Sequence, residues 1–171
     1  MALIIIQNPA FCNKKFTKKK FKMGKASCIH WFRKGLRLSD NPALLASIEA
    51  HNGKHLELKP VFIIDPWFVG NSKVGENRWR FLTQSLLDLD GQLRNLGSRL
   101  FVIRGSPNEV FKNLFKEWNV EKLTFESDTE PYSVSRDLEI TKLAQEFDVQ
   151  VVTKMSHTLY DPMQIVKVGS V

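Results

Sequence analysis

Residues 29–45 read IHWFRKGLRLSDNPALL, and this stretch decides the fold. It opens with bulky apolar residues, Trp31 and Phe32 among them, which are typical of a strand buried on both faces of a sheet. After a polar turn, Asn41 and Pro42 indicate a helix start, because asparagine can accept from free helix amides and proline suits the first helical position. The stretch therefore predicts a junction of strand, loop and helix, where an α/β sheet usually holds its ligand.

Four further strands are predicted along the chain, at residues 60–64, 100–103, 122–125 and 149–152. Helical patterns separate them. Strands that alternate with helices form a parallel sheet joined by right-handed crossovers, so the sequence indicates the α/β class. A chain of 171 residues is long enough for one such domain and too short for two of ordinary size.

The helices carry clear boundary signals. From Trp79 onward, apolar residues recur at spacings of three and four, which predicts a helix with one apolar face. Gly97 predicts its end, because glycine readily adopts the left-handed backbone conformation found after the last turn of many helices. Gly91 interrupts this helix, which predicts close packing at that position. Residues 106–109, SPNE, predict a capping box with proline at the first helical position. A further helix is predicted to begin near Pro131.

The net charge of +7 is concentrated near the amino terminus. Seven lysines, from Lys14 to Lys25, lie within residues 1–26, which contain no acidic residue. Without them the chain has 18 basic and 18 acidic residues, so residues 27–171 are not predicted to form a basic DNA-binding module. We interpret residues 1–26 as a disordered basic tail. The alternatives are that this segment is a nuclear localisation signal or that it makes a weak nucleic-acid contact through Lys14 to Lys25.

Several kinds of site are absent from the sequence. There is no GxGxxG motif after the first strand and no GxxxxGK[ST] motif, which disfavours dinucleotide and P-loop binding. The four histidines lack metal-ligand spacing and the two cysteines form no CxxC pair, so no metal site is predicted. Residues 1–6 are too short for a secretory signal, and no stretch is long enough to cross a membrane. We expect an intracellular protein of the nucleus or cytoplasm.

The segment HWFRKGLRLSDNPAL resembles the opening motif of the photolyase/cryptochrome family. The resemblance continues, in the family's order, in IDPWF (64–68), NRWRFLTQSLLDLDGQLRNLGSRLFVIRG (77–105), LTFESDTEPYSVSRD (123–137) and SHTLYDP (156–162). The segment EPYSVSRD (130–137) is most similar to the corresponding segment of animal (6-4) photolyases, and next most similar to that of animal cryptochromes.

The resemblance implies a five-stranded, parallel, doubly wound (Rossmann-like) sheet with strand order 3-2-1-4-5, flanked by helices. It implies that residues 27–160 form the family's α/β antenna domain and that residues 161–171 begin the interdomain linker. The helical domain that binds FAD in the family, and makes its main DNA contacts, would then be absent from this chain. No catalytic residue is predicted within it.

This strand order implies a site between the first and fourth strands. The connections that follow these two strands lead to opposite faces of the sheet, so a crevice opens between them at the carboxyl ends of both strands. The predicted cofactor-binding residues are Phe32, Arg33 and Lys34 on one rim, with Glu126 and Asp128 on the other. An ordinary set of salt bridges that closes the top of the sheet explains the charged residues equally well.

Two further charged residues, Arg37 and Asp40, are predicted to contact the missing domain. The family also implies an antenna pigment, either a deazaflavin or a folate. In the helix that follows the fourth strand, its folate-binding members carry an Asn-Glu pair shortly before an Arg-Asp dipeptide. This chain has the dipeptide as Arg136-Asp137, but has Tyr132 and Ser133 in place of the pair. A deazaflavin, or no pigment, is therefore favoured over folate.

The function that the resemblance implies is light harvesting. The chain would be the antenna domain of a blue-light DNA photolyase of the (6-4) type, which takes part in DNA repair when full length and is inactive as this fragment. The alternative is a cryptochrome-type photoreceptor or circadian regulatory module, in which the same fold presents surfaces to protein partners. A free-standing nucleotide-binding α/β protein of the stress-protein type is a third interpretation.

Overall fold

The computed structural model describes residues 3–4, 25–49, 53–66, 75–156 and 158. The strands in these ranges are β1 (Leu3–Ile4), β2 (Ser27–Phe32), β3 (Glu57–Ile64), β4 (Phe101–Arg104), β5 (Val120–Glu126) and β6 (Gln150–Lys154). The helices are α1 (Pro42–Ile48), α2 (Glu76–Asn95), α3 (Pro107–Glu117) and α4 (Pro131–Glu146). No helix in the described ranges is long and apolar enough to span a membrane.

Five of the strands form a parallel sheet in the spatial order β4-β3-β2-β5-β6. Numbered among themselves, these strands follow the order 3-2-1-4-5, so the predicted fold is confirmed. The central strand is β2, in which Trp31 is paired with Val61 on one side and with Phe125 on the other. The junction recognised in the sequence therefore emerges from the middle of the sheet.

The sheet has a sixth strand that the sequence did not predict. Leu3–Ile4 pairs antiparallel with β4, and Leu3 lies opposite Ile103. The pairing supplies hydrogen-bond partners to an edge that would otherwise present free backbone groups. The prediction of a disordered tail over residues 1–26 is therefore wrong for Leu3–Ile4. Residues 5–24 and the predicted linker, 161–171, lie outside the described residues.

The core consists of two layers, because successive side chains of a strand point to opposite faces. Trp31 faces α3 and α4, where it packs with Phe111 and Ile140. Phe32 faces the other side and packs in a cluster with Leu44 of α1 and Leu89 of α2. All six side chains are buried. Helices thus cover both faces, as a doubly wound sheet requires.

The helix boundaries confirm most of the sequence signals. The Asn41 Oδ1 atom accepts a hydrogen bond from the Leu44 N–H at 2.9 Å, and Gly97 adopts a φ of 74° after α2. Two expectations are wrong. Ser106 makes no side-chain hydrogen bond to α3, so the capping box does not form. A Cβ atom at Gly91 would meet no heavy atom within 4 Å, so no close packing explains that glycine.

Candidate functional site

Charged side chains meet where β2 and β5 end. The Arg33 Nη1 atom lies 2.5 Å from Asp137 Oδ1, and Arg33 also donates to the backbone carbonyl of Glu126. The Lys34 Nζ atom lies 2.8 Å from Asp128 Oδ2 and 2.9 Å from Glu130 Oε1. The predicted rims therefore face each other, with the basic side chains of one paired to acidic side chains beyond the other strand.

These side chains surround a cleft of about 490 Å³, which we name the charged cleft. Its lining residues are Arg33, Lys34, Gly35, Leu36, Arg37, Glu126, Ser127, Asp128 and Ser156. The cleft thus brings together four of the five predicted cofactor-binding residues. Ser156 donates a hydrogen bond to the Glu126 carboxylate, which ties the end of β6 to the same cleft.

The electrostatics of the charged cleft are those of a closed ion-pair set. Burial alone would raise the pKa of Asp128, but hydrogen bonds from Lys34, from the Glu130 N–H and from Ser133 outweigh it and lower that pKa to about 2. Burial lowers the pKa of Arg33, and Asp137 opposes that effect. The contacts are those that the salt-bridge interpretation predicts, and the cofactor role of these residues stays a prediction.

The fifth predicted residue, Phe32, lies apart from the charged cleft. It is 1% exposed and belongs to the core cluster between the sheet and α2. Phe32 also borders a second cavity, of about 410 Å³, at the carboxyl ends of β2 and β3. We name this space the aromatic cavity. Its aromatic lining residues are Trp31, Phe32, Phe62, Trp79 and Tyr132, and its polar ones include Asp65, Arg78, Glu130, Ser133 and Arg136.

A hydrogen bond joins two elements at the aromatic cavity. The Tyr132 hydroxyl, at the start of α4, donates to Asp65 Oδ2 beyond the end of β3, at 2.7 Å. Burial, together with the neighbouring Asp65 carboxylate, raises the pKa of Tyr132 to about 12, so the phenol stays protonated as the donor. The Arg136 guanidinium lies over Trp31 at 4.9 Å and over Tyr132 at 5.6 Å. The cavity thus combines flat aromatic walls with a few oriented polar groups.

The sequence reasoning missed Asp65, Tyr132 and Arg136 as site residues. The signal was present, because Asp65 follows β3 directly and both other residues lie in the motif EPYSVSRD. Ligands of open α/β sheets bind at the carboxyl ends of the strands, and Asp65 lies at the carboxyl end of β3 just as the predicted residues lie at those of β2 and β5.

Arg37 and Asp40 lie on the turn between β2 and α1. Arg37 Nη2 is 3.5 Å from Asp40 Oδ2, and the two side chains are 45% and 88% exposed. Asp40 adopts a φ of 51°, a conformation that aspartate tolerates better than most residues. Their predicted contact with another domain stays a prediction. Within the described ranges, no group of three or more His, Cys, Asp or Glu residues could hold a metal ion.

Comparisons with known proteins agree with this architecture. The family model described as DNA photolyase matches residues 28–170. Cryptochrome-1 of Macaca fascicularis is 55% identical over 143 residues, which are 84% of this chain and 24% of the relative. The chain therefore spans about a quarter of the length of the curated relatives that it matches.

Two solved structures share the fold. An archaeal photolyase from Sulfolobus tokodaii has a TM-score of 0.71 and 33% identity, over 79% of this chain and 30% of that one. It is described as holding two FAD molecules, with the implication of a novel light-harvesting cofactor. A Synechocystis cryptochrome has a TM-score of 0.74 at 24% identity, over 84% of this chain and 30% of its own, and supports the fold alone. Since the family model covers most of the residues, the chain belongs to the DNA photolyase family.

Proposed function

We propose that this chain is an antenna-type domain whose aromatic cavity binds a planar pigment. The observation that carries the proposal is the cavity itself, about 410 Å³ at the carboxyl ends of two central parallel strands. Small-molecule sites in open α/β sheets lie at such strand ends, and they combine apolar walls with a few convergent polar groups. The charged cleft is a weaker candidate, because its own side chains pair with one another.

The residues present fit a flavin-type ring. Trp79 and Tyr132, which are half-buried, offer aromatic surface, against which a planar ring gains contact area and stacking energy. Trp31 is buried and already covered by the Arg33 and Arg136 guanidinium groups. Asp65 and Arg136 place an acceptor and a donor beside that surface, as a ring with amide-like edges requires. A deazaflavin or flavin ring therefore fits better than folate, and the Asn-Glu pair expected of folate-binding members is absent from the motif.

The chain's own part in light harvesting is to bind and orient. A bound pigment would absorb blue or near-ultraviolet light and pass the excitation to a flavin held elsewhere in the full-length protein. The buried residues Phe32, Phe62 and Ile63 keep water from one part of the cavity wall, and the Tyr132 to Asp65 hydrogen bond fixes α4 relative to β3. We propose that the full-length protein is a photolyase of the (6-4) type that acts in DNA repair. The 171-residue chain alone is expected to remove no photoproducts.

Calorimetric titration of the 171-residue chain tests pigment binding. Riboflavin, whose ring differs from that of a deazaflavin by one atom, should bind saturably at a ratio of one to one, and folate should not. Leu82 lines the aromatic cavity, so Leu82→Trp should fill it and weaken riboflavin binding by at least roughly tenfold. Gln84→Trp, on the exposed face of the same helix, is the matched control and should bind as the wild type does. Equal affinities in the two variants, or no saturable binding to the wild type, would refute the proposal.

A cryptochrome-type regulatory module is the second candidate function. It is favoured by one observation, the 55% identity to an animal cryptochrome. Sequencing of the messenger RNA past the codon for Val171 would show whether the reading frame continues, and any longer protein could then be expressed for a direct comparison. Light-dependent loss of (6-4) photoproducts from irradiated DNA would support the repair function. Binding of a protein partner without such loss would support the regulatory one.

A further inference from the structure

We propose that β1 (Leu3–Ile4) is a strap on a strand-binding edge of the sheet, and that this edge binds a second copy of the chain once the strap is removed. The edge belongs to β4 (Phe101–Arg104), which pairs with β3 on one side and with Leu3–Ile4 on the other. The inference does not depend on pigment binding, because no residue of β4 lines the aromatic cavity.

The two edges of the parallel sheet are built differently. β6 forms one edge within the described ranges and carries the exposed polar residues Gln150, Thr153 and Lys154. Polar residues and lysine on an edge strand disfavour pairing with a further strand. β4 forms the other edge, and its first three residues, FVI, are all apolar. Without the strap, β4 would therefore be the edge that accepts another strand.

The strap shows how a strand binds to this edge. It runs antiparallel to β4, with Leu3 opposite Ile103 and Ile4 opposite Val102. The side chains of Val102 and Ile103 belong to the core clusters on opposite faces of the sheet and are 2% and 0% exposed. The edge therefore offers mainly backbone groups, and backbone pairing requires an extended segment more than any particular side chain.

The β4 strand of a second copy fits the freed edge. A two-fold axis places the two β4 strands side by side in opposite directions, which is also the direction of the strap. With Val102 of one copy opposite Ile103 of the other, Phe101 lies opposite Arg104, so no like charges face each other. A guanidinium beside this ring is favourable, and within one chain Arg99 already lies over Phe101 at 4.7 Å.

The intact chain keeps the strap in place because the strap and the edge belong to one molecule. Residues 5–26 join the strap to β2, which lies three strand spacings away, about 14 Å across the sheet. A flexible connection of this kind holds the strap near the edge at an effective concentration of roughly millimolar. A second copy at micromolar concentration does not displace it, so we expect the intact chain to be monomeric.

Sedimentation velocity under reducing conditions tests the strap in three forms of the 171-residue chain. Deleting residues 2–6 gives a strapless chain that keeps all seven lysines, and deleting residues 7–11 is the control of equal length that keeps Leu3–Ile4. At roughly 100 µM, where exposed strand edges associate, the strapless chain should be mainly dimer, and the other two forms mainly monomer. The deletion removes five apolar residues, so dimerisation cannot come from added apolar surface in the segment.

A peptide added in trans shows whether the dimer uses the β4 edge. The peptide of residues 1–20 contains the strap and five lysines that keep it soluble, and in excess it should convert the strapless dimer to monomer. The same peptide with Leu3→Pro and Ile4→Pro should not, because proline has no N–H to donate to a strand ladder. If the strapless chain does not fold, the same two substitutions in the full chain supply a second form that should dimerise.

Three results would overturn the inference. The first is a folded strapless chain that stays monomeric, and the second is equal dimerisation after deletion of residues 7–11. The third is a strapless dimer that persists in an excess of the unmodified peptide, because the edge would then not be its interface. Pigment binding is unaffected by any of these results, so the proposed function stands or falls separately.

Discussion

His30 is a buried histidine beneath the first helix, and its contacts define its protonation. Its Nδ1 atom lies 2.8 Å from Thr124 Oγ1, and its Nε2 atom lies 3.5 Å from Asn41 Nδ2. Since the Asn41 amide nitrogen is a donor, Nε2 accepts and Nδ1 carries the proton that is donated to Thr124. The ring is 1% exposed, and burial lowers the pKa of His30 to about 3. The folded chain thus holds His30 neutral.

Acid should therefore destabilise the fold through His30. The unfolded chain takes up a proton near pH 6.5 and the folded chain only near pH 3, so the stabilisation is complete above 6.5 and is lost as pH falls towards 3. The loss approaches about 1.4 kcal/mol per pH unit within that window. We expect His30→Asn to be less stable at pH 7 and to lose less stability between pH 7 and pH 4.5, measured by urea unfolding. His55→Asn, at an exposed histidine, is the control. An unchanged pH dependence in His30→Asn would contradict this assignment.

Single residues of the site were only partly predictable from the sequence. Arg33, Lys34, Glu126 and Asp128 could be expected to meet, because each follows or ends a strand that runs to the same edge of the sheet. The Tyr132 hydrogen bond to Asp65 spans 67 positions and depends on how α4 packs over the end of β3. Neither periodicity nor a local motif encodes that distance.

At the scale of elements, local patterns predicted the helices well and their caps less well. Both Asn41 and Ser106 precede a proline at the first helical position. Asn41 caps α1 through its side chain, whereas Ser106 makes no such bond and instead lines a small cavity with Asn108 and Arg136. The residue types of a capping box do not fix the rotamer of its serine. The strand Leu3–Ile4 was unpredictable for another reason, since two residues show no periodicity and their partner strand is remote in sequence.

The two caps give a matched pair of substitutions. Asn41→Ala removes the hydrogen bond to the Leu44 N–H and should cost about 1 kcal/mol of unfolding free energy, or somewhat more because the Asn41 amide also bonds to Arg37 and His30. Ser106→Ala should change stability by less than about 0.5 kcal/mol, because no cap bond is lost. Chemical denaturation measures both. Equal losses in the two variants would show that the caps of α1 and α3 are equivalent in solution.

At the scale of the whole molecule, the charge is divided unevenly along the chain. The seven lysines within residues 1–26 account for the entire net charge of +7. Arg33 and Lys34, at the carboxyl end of β2, pair with acidic neighbours. The high overall pI, about 9.5, is therefore due to the lysines of residues 1–26 and not to the rest of the chain.

Nucleic-acid affinity should follow this division. We expect the chain to bind duplex DNA weakly and without sequence preference, with affinity falling by roughly 0.9 log units per log unit of salt for each phosphate neutralised. Deleting residues 1–23 removes six of the seven lysines and should abolish most of the binding and flatten the salt dependence, as measured by fluorescence anisotropy. If the shortened chain kept its affinity and its salt slope, a basic surface on the folded domain would be responsible.

The topology of the whole domain was the part best predicted. Five strands and their parallel direction follow from alternating apolar runs and from the handedness of crossovers, which hold for any sequence of this class. The strand order 3-2-1-4-5 was implied by the resemblance to the photolyase/cryptochrome family. The aromatic cavity was not predicted, because its walls come from β2, β3, α2 and α4 together. Such a space depends on side-chain packing between elements, which the order of elements does not specify.

Pigment binding in the aromatic cavity is tested most directly by the indole N–H signals of the ¹⁵N-labelled chain during titration with riboflavin. Trp31 and Trp79 line the cavity, whereas Trp118 packs against Phe101, with 5.1 Å between ring centroids, outside its lining. We expect the Trp31 and Trp79 signals, assigned by single Trp→Phe variants, to shift together and saturate while the Trp118 signal stays in place. Unmoved signals of Trp31 and Trp79 at saturating riboflavin, or a Trp118 signal that shifts as much as theirs, would contradict the account.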